Sequence, residues 1–348
     1  MIKATFHKYI LNFKQPSGTS RGVLRTKETY FLMLSDDGKQ GIGECGLFRG
    51  LSVDDSLDYE EKLQWVCDNI NKGLNFLLGE LVDFPSIQFG LEQAFLSLKS
   101  KDQFLLFPSN FTSGKDSISI NGLIWMGDRD FMKSQIKQKI KEGFSCIKMK
   151  IGAIDFEEEI NLLKYIRNEF SSKDIELRVD ANGAFHPSTA LGKLSRLSEF
   201  DLHSIEQPIK QGQWQEMAFL CEKTPLPIAL DEELIGVFSV TKKQDLLQTI
   251  QPQYIILKPS LVGGFKGSSE WIQLAEQQSI GWWITSALES NVGLNAIAQW
   301  TYTLQSKMPQ GLGTGGLFTN NFESPLEVQN GCLQYSTTKK WSFNLNQN

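Results

Sequence analysis

Six charged residues in the middle of the chain each close a short apolar segment, and together they have the composition of a catalytic site. They are Lys148, Lys150, Asp180, Glu206, Asp231 and Lys258. Three carboxylates that meet at one place repel each other unless one remains protonated or a cation lies between them. Because all of these ligands are oxygens, the set favours a hard divalent ion such as Mg²⁺.

Lysines on either side of such an ion indicate proton transfer at a carbon atom held between them. A lysine whose pKa is lowered by nearby positive charge can act as a general base near neutral pH. Removal of the α-proton of a carboxylate creates an enediolate, and a divalent cation stabilises its two negative oxygens. The residue types therefore predict metal-assisted proton abstraction next to a carboxylate.

The elements that must position these residues recur at an even spacing. Seven apolar segments end at Asn121, Lys150, Asp180, Glu206, Asp231, Lys258 and Ser286, which lie 25 to 30 residues apart. A βα unit of a barrel occupies about 30 residues, and its strand ends carry the catalytic groups. An open dinucleotide-binding sheet would also need GxGxxG after its first strand, which is missing. We predict an α/β fold, a (β/α)7β TIM-type barrel with a weak eighth strand within Met308–Gly313.

The two ends of the chain follow a different pattern. Asp37–Gly38 and Asn330–Gly331 are hairpin turn signals between apolar strands. The hairpin near the C-terminus cannot extend a barrel that is already closed. We therefore predict an α+β capping domain built from residues 1–105 and 318–348, and a barrel catalytic domain of residues 110–317.

Composition excludes several classes of function. The 348 residues carry 35 Lys+Arg and 40 Asp+Glu, a net charge of −5 without a basic run. This argues against a nucleic-acid or anionic membrane partner, and no apolar stretch is long enough to span a membrane. Five scattered cysteines without a CxxC pair suggest free thiols in a reducing compartment. We expect a cytoplasmic protein acting on a small-molecule carboxylate; the oligomeric state is open, and a monomer is compatible with the sequence.

The segments around the six residues resemble the muconate-lactonising-enzyme subgroup of the enolase superfamily. The matching segments are KMK, VDANGAF, SIEQPI, IALDEEL, ILKPSLVGG and TSALESNVGLNAIAQW. The resemblance covers nearly the whole chain and implies the same capped barrel. It also implies Asp180, Glu206 and Asp231 as ligands of Mg²⁺, with Mn²⁺ as an alternative. Lys150 would then be the base, Lys148 would lower its pKa, and Lys258 would lie on the opposite face.

Within the subgroup, the chain is most similar to a family of dehydratases of menaquinone biosynthesis. These lyases convert 2-succinyl-6-hydroxy-2,4-cyclohexadiene-1-carboxylate to 2-succinylbenzoate by syn elimination of water. The resemblance implies that Lys150 removes the proton and returns it to the leaving hydroxyl, while Lys258 stabilises charge over the ring.

Two other activities remain open at this point. N-acylamino-acid racemases share nearly all of these residues, and dipeptide epimerases are also similar, although GLGTGG lacks their Asp-x-Asp pair. A non-catalytic barrel used as a binding module is the third hypothesis. This third hypothesis is disfavoured because burying several charged groups in one barrel opening costs folding free energy, and without catalysis they would have no use there.

Further residues are candidates for substrate contact. Asn182 would lie on the same strand face as Asp180, Ser286 and Ser290 flank the seventh strand end, and the backbone at Gly311 would approach a carboxylate closely. The loops Ser17–Gly22 and Gly46–Ser52 match the family's closing loops. They offer Arg21 or Arg49 for a carboxylate, and Phe48 and Leu51 to exclude water.

Overall fold

An antiparallel sheet opens the chain. The structure, a computed structural model, describes residues 1–19, 22–125 and 127–345. Strands β1 (Lys3–Thr19), β2 (Gly22–Asp36) and β3 (Lys39–Cys45) form the sheet in the order β1-β2-β3. At the turn between β2 and β3, Asp37 and Gly38 have φ of +48° and +77°. Positive φ at both positions is typical of a two-residue hairpin turn, and the predicted hairpin is confirmed.

Three helices cover one face of this sheet: α1 (Tyr59–Asn69), α2 (Leu74–Glu80) and α3 (Pro85–Lys99). Helix α3 lies directly against β3. A Cβ atom added at Gly43 would be 1.9 Å from the carbonyl oxygen of Gly90, so only glycine allows this approach. The sheet and helices enclose a separate apolar core that includes Leu32, Leu63 and Leu91.

The segment after α3 differs in detail from the prediction. Strand β4 (Ile118–Ser119) does not begin the barrel but pairs with the C-terminal hairpin. Ile120 and Asn121 then donate backbone hydrogen bonds to Gly331 and Gln310. The expected segment ending at Asn121 therefore contributes Ile120 to barrel closure, whereas the first regular barrel strand begins at Gly122.

Seven parallel strands form the barrel sheet in the order of the chain. They are β5 (Gly122–Ile124), β6 (Cys146–Lys150), β7 (Glu176–Asp180), β8 (Ser204–Glu206), β9 (Ile228–Leu230), β10 (Tyr254–Leu257) and β11 (Gly281–Ile284). The eighth position consists of single parallel bridges, from Gln310 to Ile120 and from Gly311 to Thr285. These bridges connect the first and last strands and confirm the predicted barrel class.

The helices that follow the barrel strands are amphipathic and bury their apolar faces against the sheet. They are α4 (Arg129–Lys141), α5 (Phe156–Glu169), α6 (Pro187–Leu197), α7 (Trp214–Lys223), α8 (Val240–Ile250), α9 (Pro259–Val262), α10 (Gly264–Gln277) and α11 (Asn291–Thr303). Side chains at several N-termini accept hydrogen bonds from the first turn, for example Asp128 from Phe131 N and Ser290 from Val292 N.

The tail hairpin consists of β12 (Leu326–Gln329) and β13 (Cys332–Tyr335). It turns at Asn330 and Gly331, where φ is +50° and +68°, as the sequence predicts. Its sheet partner is β4, whereas the aromatic ring of Phe322 packs on Phe31 of β2, with 5.3 Å between the ring centroids. The tail thus contacts both parts of the chain, and the division into 1–105 plus 318–348 and 110–317 stays a prediction.

Two further observations concern the helices and the thiol groups. No helix among the described residues is long and apolar enough to cross a membrane. The five cysteines are free thiols, and four of them are buried.

Candidate active site

The six charged residues lie together at the carboxyl ends of consecutive barrel strands. Strands β6, β7 and β8 end at Lys150, Asp180 and Glu206, and Asp231 and Lys258 directly follow β9 and β10. In the parallel register, Lys150 is level with Asp180, and Asp180 with Glu206. Because side chains alternate along a strand, Lys148 and Lys150 point to the same side.

Each carboxylate at this mouth contacts a lysine. The Nζ atom of Lys148 donates to Glu206 Oε2 at 2.7 Å and to Asp180 Oδ2 at 3.3 Å. The Nζ atom of Lys150 donates to the same Asp180 oxygen at 3.0 Å. Lys258 forms an ion pair with Asp231. Lys148 and Lys150 therefore share Asp180 as an ion-pair partner, whereas Lys258 pairs with Asp231.

Burial and the neighbouring charges shift the pKa values of these groups. Burial alone would lower the pKa of Lys148, but Glu206 and Asp180 outweigh it and raise the pKa above its ordinary value. Burial would raise the pKa of Asp180, but Lys150 and Lys148 bring it below its ordinary range. Burial and the charge of Asp180 raise the pKa of Glu206 to about 8. Glu206 is therefore the carboxyl least compensated by the protein's own cations.

Residues directly after the strand ends hold the acids in place. Asn182, with φ of +43°, donates its N–H to Asp180 Oδ1 and accepts from Lys150 Nζ at 2.7 Å on its side-chain oxygen. Gln207, which the sequence reasoning missed, accepts from Asp231 N at 3.2 Å and donates to Glu233. The sequence feature that could have identified Gln207 is its position directly after Glu206 in the segment SIEQPI. Glu233 accepts hydrogen bonds from the side-chain amide of Gln207 and from Gly212 N.

The three carboxylates fit a divalent cation by their chemistry. Glu206 Oε1 is buried and has no hydrogen-bond partner among the described residues. A cation here would also relieve the repulsion that raises the pKa of Glu206. In the described part of the chain no group of three or more His, Cys, Asp or Glu side chains is already arranged as a metal cluster. The acids are instead turned to the lysines.

A cavity of about 630 Å³ opens above these groups. Five of the six charged residues line it, Asp231 being the exception, and Asn182 lines it as well. Its volume is in the range of small-molecule sites. Much of the remaining wall is apolar, and the sequence reasoning named only Phe48 and Leu51 of that part. The apolar lining residues include Phe48, Leu51, Leu123, Trp125, Leu288 and Leu317.

Two other predicted contact residues also reach the cavity. Ser286 lines it, and its hydroxyl lies 2.6 Å from that of Thr314. Gly311 lines it too, but its N–H donates to Ile284 O in the bridge that closes the barrel. A Cβ atom at Gly311 would be 1.8 Å from Thr285 Oγ1. This glycine is therefore needed for barrel closure, and its N–H is not free for a substrate carboxylate.

The remaining predicted contact residues lie elsewhere. Ser290 does not line the cavity: its hydroxyl is buried and donates to Glu44 Oε2 at 2.5 Å, at the start of α11. This burial argues against a contact of Ser290 with substrate. Arg49 turns away to Glu28 and to Asp55, at 2.6 Å. Arg21 lies outside the described residues.

Comparison with known proteins agrees with this geometry. Residues 132–345 match the family model "Enolase C-terminal domain-like". The o-succinylbenzoate synthase of Desulfotalea psychrophila is 48% identical, over 96% of this chain and 99% of that protein. That of Bacillus subtilis is 24% identical over 86% of this chain and 83% of its own length.

Solved structures show the same fold. The crystal structure of MenC from Desulfotalea psychrophila has a TM-score of 0.85 at 45% identity, covering 96% of this chain and 99% of that chain. A substrate-liganded L-Ala-D/L-Glu epimerase of Bacillus subtilis has a TM-score of 0.82 at 18% identity, covering 98% and 97%, and supports the fold alone. With a capped barrel, this charged mouth and a near full-length relative at 48% identity, the chain belongs to the o-succinylbenzoate synthase family of the enolase superfamily.

Proposed function

We propose that this protein removes water from 2-succinyl-6-hydroxy-2,4-cyclohexadiene-1-carboxylate to form 2-succinylbenzoate, a step of menaquinone biosynthesis. The observation that carries the reaction is the 48% identity to an o-succinylbenzoate synthase over 96% of this chain. The racemase and epimerase alternatives have weaker support, since the L-Ala-D/L-Glu epimerase of Bacillus subtilis is 24% identical over 64% of this chain.

Asp180, Glu206 and Asp231 are the residues that would hold a divalent cation, Mg²⁺ or alternatively Mn²⁺. Their support is the all-oxygen donor set and the buried, unpartnered Oε1 atom of Glu206. When bound, the cation supplies positive charge next to the carboxylate of the substrate, where negative charge develops.

Lys150 is the proposed base. Its Nζ atom lies at the cavity wall, where Asp180 and Asn182 orient it at 3.0 and 2.7 Å. Lys150 takes the proton from the carbon next to the substrate carboxylate. It then returns a proton to the hydroxyl group as the carbon–oxygen bond breaks, and water leaves. One lysine suffices because both events take place on the same face of the ring.

Lys148 and Lys258 would contribute charge and not proton transfer. Lys148 is held by Glu206 and Asp180, which raise its pKa and keep it an ammonium group beside Lys150. Lys258 is held by Asp231 across the mouth from β6, and its pKa is also raised, because Asp231 outweighs the effect of burial. Both therefore stay positive near neutral pH, as a charge stabiliser must.

The surrounding wall would bind the rest of the substrate. Ser286 and Asn182 offer polar contacts, while Phe48 and Leu51 contribute apolar wall that would exclude water. Excluding water in this way strengthens the electrostatic interactions at the reacting carbon. We further infer a cytoplasmic enzyme, which agrees with its five free thiols.

A parallel assay tests the reaction. The purified protein with Mg²⁺ is given the cyclohexadiene acid, followed by loss of diene absorbance, and N-succinyl amino acids in D₂O, followed by deuterium uptake at the α-carbon. We expect rapid conversion of the first and slow or no exchange in the second. Faster exchange than dehydration would support the racemase, and no turnover of either would support a binding module.

A further inference from the structure

A second cluster of buried charges lies between the cap and the barrel. Its members are Lys27 on β2, Glu44 on β3 and Glu289 in the loop before α11, and none is more than 4% exposed. The Nζ atom of Lys27 has no hydrogen-bond partner among the described residues. Burial lowers the pKa of Lys27, and the charges of Glu44 and Glu289 oppose that shift. The proposed reaction uses none of these three residues.

Glu289 joins two strand ends of the barrel mouth. Its Oε1 atom accepts from the hydroxyl of Ser260 at 2.5 Å, and its Oε2 atom accepts from Ala287 N at 2.7 Å. Ser260 lies two residues after Lys258, and Ala287 lines the cavity. Glu289 thus connects the end of β10 to the end of β11.

Glu44 holds the next part of the same loop from the cap. It accepts from Ser290 N at 2.9 Å, from the Ser290 hydroxyl and from Gly293 N at 2.8 Å. These donors form the N-terminus of α11, where a negative charge is favourable. A strand of the cap therefore determines where a barrel helix begins.

Leu288 lies between the two attachment points. It has φ of +62°, a left-handed conformation, and it lines the cavity. For a residue with a branched side chain this conformation is strained and persists only where the surroundings impose it. Here it is fixed from both sides, because Ala287 N donates to Glu289 and Ser290 N donates to Glu44.

We propose that Lys27, Glu44 and Glu289 are positioning residues for substrate binding. They hold the Ala287–Leu288 turn in its left-handed conformation and so set the shape of the cavity wall. Lys27 supplies the positive charge that allows two carboxylates to be buried next to each other. The effect on catalysis rests on the proposed function, whereas the effect on the turn does not.

The chain offers a matched control in Glu92 on α3. Glu92 is also a buried cap carboxylate, and it accepts from Phe265 N and Lys266 N, the latter at 3.0 Å, at the start of α10. Neither of these two residues is among those described as lining the cavity. Glu92→Ala therefore also removes hydrogen bonds from backbone N–H groups to a buried carboxylate between cap and barrel, but it leaves the cavity wall unchanged.

The test compares Glu289→Ala with Glu92→Ala. We expect Glu289→Ala to raise KM about tenfold with kcat within about threefold of wild type, and Glu92→Ala to leave both within about twofold. Hydrogen exchange of the segment 285–293 should accelerate only in Glu289→Ala. Should Glu289→Ala fail to fold, Glu289→Gln is measured in the same way.

A charge-balance experiment completes the test. Lys27→Met leaves two buried carboxylates without a cation and should also raise KM, whereas Lys27→Met/Glu289→Gln removes one charge of each sign and should recover much of the loss. Equal losses of Tm with unchanged KM in Glu289→Ala and Glu92→Ala would overturn the proposal. If the wild type turns over neither the cyclohexadiene acid nor the N-succinyl amino acids, the proposed function fails. Hydrogen exchange of the segment 285–293 in Glu289→Ala and Glu92→Ala then still decides whether the buried charges hold the Ala287–Leu288 turn.

Discussion

Buried carboxylates occur in two regions of this molecule and are stabilised in different ways. At the barrel mouth, Asp180 and Glu206 contact the ammonium groups of lysines. At the interface of cap and barrel, Glu44 and Glu92 accept from backbone N–H groups at the N-termini of α11 and α10. Both arrangements offset the cost of burying a charge.

The regions differ in what can move. A backbone N–H group at a helix start has a fixed position, whereas a lysine ammonium lies on a flexible stem and can change partners. The mouth also leaves Glu206 incompletely compensated, with a pKa raised to about 8 by burial and by Asp180. We infer that the mouth can exchange its contacts when ligands bind, while the interface keeps the walls in place.

The largest expected effect is at the mouth. Replacing Lys150 by Ala removes the proposed base, so kcat should fall by about 10³- to 10⁴-fold. Tm should change little, because Asp180 keeps its contact with Lys148. Steady-state kinetics and thermal unfolding check both expectations, with Lys242→Ala on the exposed surface of α8 as the control. Unchanged turnover in Lys150→Ala would exclude this lysine as the base.

A smaller effect is expected in the gain of thermal stability on adding Mg²⁺, which should differ between variants of the mouth and variants of the interface. Magnesium at 100 times its Kd would stabilise the wild type by about 2.7 kcal/mol. Glu206→Gln should lose most of this gain in Tm, since it removes a proposed ligand. Glu44→Gln should keep the gain but start from a lower Tm with and without metal. Thermal unfolding with Mg²⁺ or a chelator measures this, and an equal gain in all three proteins would contradict the role of Glu206.

The mouth was more accessible to sequence reasoning than the interface. Lys150, Asp180 and Glu206 each stand where an apolar strand segment ends, and the spacing of βα units implies that such ends converge. The structure confirms the barrel and brings these residues together. The first strand was misplaced because Ile118 is as apolar as a barrel residue but pairs with the tail hairpin.

Contacts between distant parts of the chain could not be predicted in this way. Ser290 has the residue type and position of a substrate contact, but its hydroxyl is taken by Glu44, 246 residues away in the chain. Gly311 has the type expected for a carboxylate cradle, but it is required where the barrel closes on Thr285. In both cases the partner depends on packing between elements, and a local pattern carries no information about that partner.

The smallest effect concerns the interface and depends on pH. Burial raises the pKa of Glu92 to about 7, although the N–H groups of Phe265 and Lys266 oppose the shift. A raised pKa means that the folded state binds the proton more tightly, so this contribution is complete below about pH 4.5 and is lost as the pH rises through 7. From pH 5 to 7 it amounts to about 2 kcal/mol. Denaturant unfolding across this range should therefore show a flatter pH dependence in Glu92→Gln than in wild type or in the exposed control Glu216→Gln. A slope identical in all three would mean that the interface carboxylate stays ionised throughout, held by backbone donors alone, and would make the contrast with the mouth sharper than we expect.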